Sequence, residues 1–121
     1  MKRVLMIEDD VSLHELYKEA LGKEGIELLV AISGKDALDT MQKTIPDLAV
    51  IDIMLPGGLN GFDVAEQMKQ NPKTGSIPFI ILTNLDSEKE SAKAVGAADY
   101  IVKTNTSLED VVKKIKSLLS G

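Results

Sequence analysis

Short apolar runs recur along this chain, each followed by a segment of helical periodicity. They cover residues 4–7, 28–32, 48–55 around Asp52, 79–82 and 100–102. Continuous apolar runs this short read as strands buried on both faces, the kind found inside a parallel sheet. Between them, apolar residues return every three or four positions. The first such set is Leu13, Leu16, Tyr17, Ala20 and Leu21; the second is Ala37, Leu38 and Met41, behind a capping-box-like Ser33 and Asp36. Val64, Ala65 and Met68 precede a stop at Asn71-Pro72, and a weaker, more polar helix is expected over 87–95, closed by Gly96. The last stripe is the cleanest: Leu108, Val111, Val112, Ile115, Leu118 and Leu119. Alternating strand and helix predicts an α/β fold, a doubly wound five-stranded parallel sheet flanked by five helices. Right-handed crossovers put two helices on one face and three on the other. His14 is expected on the solvent side of the first helix.

At 121 residues the chain has the length of one domain, and its 44% hydrophobic and 27% charged content is that of a soluble globular protein. The absence of cysteine excludes disulfides, thiolate metal sites and cysteine nucleophiles, and the single histidine excludes a multi-histidine cage. No apolar run approaches the roughly 20 residues that span a bilayer, so the expectation is a cytoplasmic protein without membrane attachment. A net charge of −5 opposes direct binding to nucleic acid, where affinity comes from neutralising phosphates.

In open parallel sheets, ligands bind beyond the carboxyl ends of the strands, where the winding reverses. The residues at those ends here are Glu8, Asp9 and Asp10 after the first strand, Asp52 at the third, Thr83 at the fourth and Lys103 at the fifth. Two carboxylates ~4 Å apart repel by about 4 kcal/mol at an effective dielectric near 20, so the cluster calls for a cation. A hard divalent ion such as Mg2+ suits carboxylates together with water and a phosphate. Lys103 can neutralise a phosphoryl oxygen and Thr83 can donate to another, parts that suit phosphoryl transfer. A carboxylate can itself be the nucleophile, and Asp52 is the obvious acceptor.

The motifs Val4-Leu5-Met6-Ile7-Glu8-Asp9-Asp10, Asp52-Ile53-Met54-Leu55-Pro56, Leu82-Thr83 and Asp99-Tyr100-Ile101-Val102-Lys103, in that order, resemble the receiver domains of two-component response regulators. The resemblance covers essentially the whole chain. It implies a flavodoxin-like sheet of order 2-1-3-4-5 and one receiver domain over residues 1–121. It also implies Asp52 as phosphoacceptor, Glu8 and Asp9 as magnesium-site acids, and the Met54 carbonyl as a further ligand. Thr83 and Lys103 would read the phosphoryl group, Tyr100 would be the aromatic switch, and the surface of helix 4, strand 5 and helix 5 would respond. Asp10 is left to capping the first helix. Two positions depart from the family pattern: the loop from Pro56 to Gly61 is one residue longer, and Thr104 replaces a proline that follows a cis bond. A non-proline cis bond costs roughly 3 kcal/mol, so the strain is retained or the loop after Lys103 takes another path.

The implied donor is a sensor histidine kinase or histidine phosphotransfer protein, and the implied output is an unidentified protein target. The expected state is a stand-alone monomer or weak homodimer that turns over no external metabolite. Two alternatives are a constitutive interaction module that is never phosphorylated and the receiver portion of a longer DNA-binding regulator. A flavin or nucleotide site is disfavoured because the first loop is anionic where phosphate cradles use glycine, serine and threonine. A phosphatase is disfavoured because Met54 stands where a second acid would be needed. Met54 and Leu85 would bring apolar groups to the path of an attacking water, which predicts slow loss of the phosphoryl group.

Overall fold

The computed structural model describes residues 1–120. Its elements run β1 (Arg3–Ile7), α1 (Val11–Gly22), β2 (Glu27–Ala31), α2 (Gly34–Lys43), β3 (Leu48–Ile51), α3 (Gly61–Gln70), β4 (Phe79–Thr83), α4 (Lys89–Ala94), β5 (Asp99–Val102) and α5 (Leu108–Ser120). A 3-10 turn, Lys103–Asn105, joins β5 to α5. All strand pairs are parallel and the sheet order is β2-β1-β3-β4-β5, as expected. The winding reverses between β1 and β3, which places the ends of these two strands side by side.

Because side chains alternate across a strand, each strand feeds two cores. Leu5, Ile7, Ala49, Ile51, Phe79 and Ile81 face one layer, where Ala37, Met41, Val64, Ala65, Met68 and Ala92 bring in α2, α3 and α4. Val4, Met6, Leu48, Val50, Ile80 and Leu82 face the other, against Tyr17 and Leu21 of α1 and Val111, Val112 and Ile115 of α5. Burial of each large aliphatic side chain stabilises by about 1.5–3 kcal/mol, so the three central strands form the rigid floor of the site. The helix ends follow their sequence signals. Asp10 caps α1 by accepting from the Ser12 N–H, Ser33 caps α2, and Asn60 and Asp63 form a reciprocal capping box on α3.

Two expectations need correction, and a third point left open by the sequence is decided. First, α1 turns His14, Tyr17 and Leu21 inward, spaced three and four residues apart, while Leu16 is 47% exposed. His14 is therefore buried, not on the solvent side. Its ring has a polar partner inside, which an apolar residue at that position would lack. Second, α4 spans only Lys89–Ala94, shorter than 87–95; Glu88 at its start makes no side-chain cap, and only Ala92 is buried. Third, the chain after Lys103 takes its other path, the 3-10 turn, with no cis bond among the described residues. The length of the loop before α3 is taken up at Gly57 and Gly58, both left-handed with φ of 89° and 92°. That conformation is open to glycine at little cost and strained for other residues.

Candidate functional site

The ends of β1 and β3 are tied together before any side chain is considered. The Asp52 N–H donates to the Ile7 carbonyl at 3.0 Å, and the Glu8 N–H donates to the Ala31 carbonyl at 2.9 Å. Glu8 thus leaves β1 between β2 and β3, directly beside Asp52. Both are nearly buried, at 3% and 7% exposure, whereas Asp9 stands at the surface. One carboxylate oxygen from each of Glu8, Asp9 and Asp52 lies within 4.8 Å of the others.

Lys103 reaches this cluster from the far side of the sheet. Its ammonium donates to Asp52 Oδ2 at 2.8 Å and also to Glu8 Oε1. Burial raises the Glu8 carboxyl above its ordinary range, partly offset by the bonds from Lys103 and the Asp10 N–H. Burial pulls the Lys103 amine down, but its bonds to Asp52 and Glu8 outweigh this and hold it above the ordinary lysine value. The ammonium is thus the counter-ion that two neighbouring buried acids require. The 3-10 turn delivers it without a proline at 104.

Thr83 ends β4 and is buried; its hydroxyl accepts a long hydrogen bond, 3.4 Å, from the Leu85 N–H. The half-buried Tyr100 on β5 donates its hydroxyl to the carbonyl of the same Leu85. One residue of the β4–α4 loop is therefore held at its N–H by Thr83 and at its C=O by Tyr100. The Met54 N–H makes a 3.4 Å contact with Asp52 Oδ1, while the Met54 side chain is 65% exposed. Glu8, Asp9, Asp52 and Lys103 form one cluster; Thr83 sits on the next strand end, and Tyr100 lies behind it.

Two residues that sequence reasoning passed over also shape the site. The Gly61 N–H donates to the Ile53 carbonyl at 2.9 Å, and a Cβ on Gly61 would lie 2.2 Å from the Asp52 carbonyl oxygen. The α3 N-terminus can approach β3 this closely only because residue 61 lacks a side chain. The second is His14, whose Nε2 lies 2.5 Å from the Glu8 carbonyl oxygen. A G-F-x-V-A pattern opening a helix is a faint signal for Gly61; nothing in the sequence marks His14 as inward.

Residues 4–116 match the family model of the response regulator receiver domain. The chain belongs to this family. It is 35% identical to protein PilH of Pseudomonas aeruginosa over the full length of both chains. It is 32% identical to the phosphate regulon regulator PhoB of Rhizobium meliloti over 98% of this chain and 52% of PhoB. The chain spans about half the length of most of the curated relatives it matches. Among solved structures, a response regulator from Chloroflexus aurantiacus superposes with a TM-score of 0.89 at 30% identity, covering 99% of this chain and 98% of that one. TrrA of Thermotoga maritima, solved with Mg2+ and BeF, gives 0.83 at 31% identity, covering 98% and 99%. Receiver domains are the signalling modules of two-component systems: they take phosphoryl groups from histidine kinases, bind Mg2+ in an acidic pocket and act on downstream targets. Among the described residues no helix is long and apolar enough to cross a membrane.

Proposed function

We propose that residues 1–121 form one receiver domain that accepts a phosphoryl group on Asp52 from a phosphohistidine and passes the change to a protein partner. The observation that carries this reading is the Asp52 carboxylate at the end of β3, with Glu8 and Asp9 beside it and the Lys103 ammonium on Oδ2. The donor set fits Mg2+: three carboxylates from two adjacent strand ends, all hard oxygen ligands; on this reading the Met54 carbonyl, two residues after Asp52, is a further ligand. Mg2+, when bound, supplies positive charge to the phosphoryl oxygens and relieves the repulsion among the acids.

An Asp52 carboxylate oxygen attacks phosphorus in line, a P–O bond forms, and the P–N bond to the donor imidazole breaks with its electron pair going to nitrogen. Lys103, already on Asp52, neutralises a phosphoryl oxygen as charge moves onto the aspartyl phosphate. The Thr83 hydroxyl turns from the Leu85 N–H to donate to another phosphoryl oxygen. Leu85 thereby loses one of its two side-chain anchors, and Tyr100 and the short, weakly capped α4 readjust with it. The surface of α4, β5 and α5 is then the output. Asp52 is regenerated by hydrolysis and no outside metabolite is turned over, so the domain is a switch, not an enzyme. Its donor is a sensor histidine kinase or histidine phosphotransfer protein, its setting is cytoplasmic, and it acts as a monomer or weak homodimer without touching nucleic acid or membrane.

The test is uptake from a small-molecule phosphodonor, followed by intact mass with Mg2+ and with chelator. Uptake of one phosphoryl group is expected with Mg2+ and a drop of at least about a hundredfold in rate without it. Failure of the folded protein to gain mass in Mg2+ would leave the constitutive interaction module instead. The phosphoryl lifetime gives a second prediction. With no acid two residues after Asp52, and with Met54 and Leu85 expected to bring apolar groups to the path of an attacking water, the half-life after donor removal should be many minutes or longer. Decay within seconds would contradict it.

A further inference from the structure

We infer that His14 is a positioning residue for the metal-site acids, acting through the peptide that joins Glu8 to Asp9. The inference rests on the Mg2+ reading proposed above. His14 is buried at 5% exposure on the inner face of α1, and its Nε2 lies 2.5 Å from the Glu8 carbonyl oxygen. A carbonyl only accepts, so Nε2 carries the proton and donates. No backbone N–H among the described residues donates to this carbonyl, because β1 pairing ends one residue earlier, at Ile7. The imidazole therefore replaces the ladder bond that the sheet does not provide there.

The Glu8 carbonyl and the Asp9 N–H belong to one rigid peptide plane. The Glu8 side chain leaves just before that plane and the Asp9 side chain just after it, so holding the carbonyl sets the direction of both carboxylates. Glu8 is held elsewhere too: its N–H donates to the Ala31 carbonyl, and its carboxylate accepts from the Asp10 N–H and from Lys103. Exposed Asp9 makes no side-chain hydrogen bond among the described residues, so the restraint on where its side chain starts comes through this backbone peptide. The buried His14 ring thus links the packing of α1 to the spacing of the two acids.

The experiment compares wild type, His14→Phe and His14→Gln. Phenylalanine keeps a flat ring but removes the donor; glutamine keeps an N–H donor. Mg2+ affinity is read from amide chemical shifts, with thermal midpoints in chelator as the control for folding. His14→Phe is expected to raise the Mg2+ Kd by at least about tenfold, and His14→Gln to recover most of the loss. A folded His14→Phe with wild-type affinity would overturn the inference, and so would equal losses in Phe and Gln variants of equal stability. If His14→Phe does not fold, the nitrogen shifts of wild-type His14 decide: a proton on Nε2 and an unprotonated Nδ1 support the bond, and the opposite tautomer overturns it. Absence of Mg2+ binding by wild type would overturn the metal-site reading itself, and this inference with it. That result is distinct from a wild type that binds beside variants that do not differ.

Discussion

Replacing Gly61 with alanine is expected to lower the thermal midpoint by about 10 °C, the equivalent of about 3 kcal/mol in a domain of this size. The new Cβ would meet the Asp52 carbonyl oxygen at 2.2 Å and the Asp52 carbonyl carbon and Ile53 Cα at 2.9 Å. These are backbone atoms of the central strand's end, so no flexible side chain can yield. Relief must come from moving α3 or the Asp52 backbone, and the second route displaces the proposed acceptor. Phosphoryl uptake should therefore fall together with stability. Gly22→Ala is the matched control. Gly22 is the last residue of α1, its Cβ would meet nothing within 4 Å, and alanine there should be neutral or slightly stabilising. Thermal unfolding of the two variants separates them; a Gly61→Ala midpoint within about 2 °C of wild type would contradict the close approach.

Lys103→Met is expected to change two properties in opposite directions. Without Mg2+ the variant leaves Glu8 and Asp52 facing each other with no counter-ion, and the apo protein should lose about 2 kcal/mol. Removing one partner from a fully buried pair costs about 3–5 kcal/mol, and residual solvent at this site reduces that. Mg2+ should then bind the variant about tenfold more tightly than wild type, because no ammonium competes for the same oxygens; each 1.4 kcal/mol is a tenfold change in affinity. Uptake of the phosphoryl group should nevertheless slow by about a hundredfold or more, since the charge that meets the phosphoryl oxygen is gone. Denaturant unfolding in chelator, Mg2+ titration and phosphorylation rate measure the three effects separately. Unchanged Mg2+ affinity alongside a wild-type rate would remove Lys103 from the proposed site.

Much of this arrangement is legible in the chain because strand ends and helix ends are local signals. The apolar runs locate β1 to β5, and four of the five, all but β2, carry a polar residue at the strand's carboxyl end that reaches the site: Glu8, Asp52, Thr83 and Lys103. The α5 stripe is unambiguous because six apolar residues agree on one face. In α1 the competing signals are weak: Leu16 fits an apolar stripe as well as His14 does, and only the Glu8 carbonyl, which lies outside the helix, decides between them. The helix α4 falls short of its expected limits because a polar segment with one buried residue, Ala92, has little packing to extend it. Gly61 depends on the distance between α3 and β3, which no spacing along the chain encodes. The shared role of Lys103 with two carboxylates likewise depends on where β5 lies in the sheet. A strand-end lysine suggests a cation, and only the fold shows which acids it meets.

The most direct test of the proposed acceptor is intact mass of wild type and Asp52→Asn after incubation with a small-molecule phosphodonor in Mg2+. Wild type should gain one phosphoryl group, mapping to the peptide that carries Asp52, and a folded Asp52→Asn should gain none. Equal uptake by the two proteins would place the acceptor on another residue and contradict the central role of Asp52.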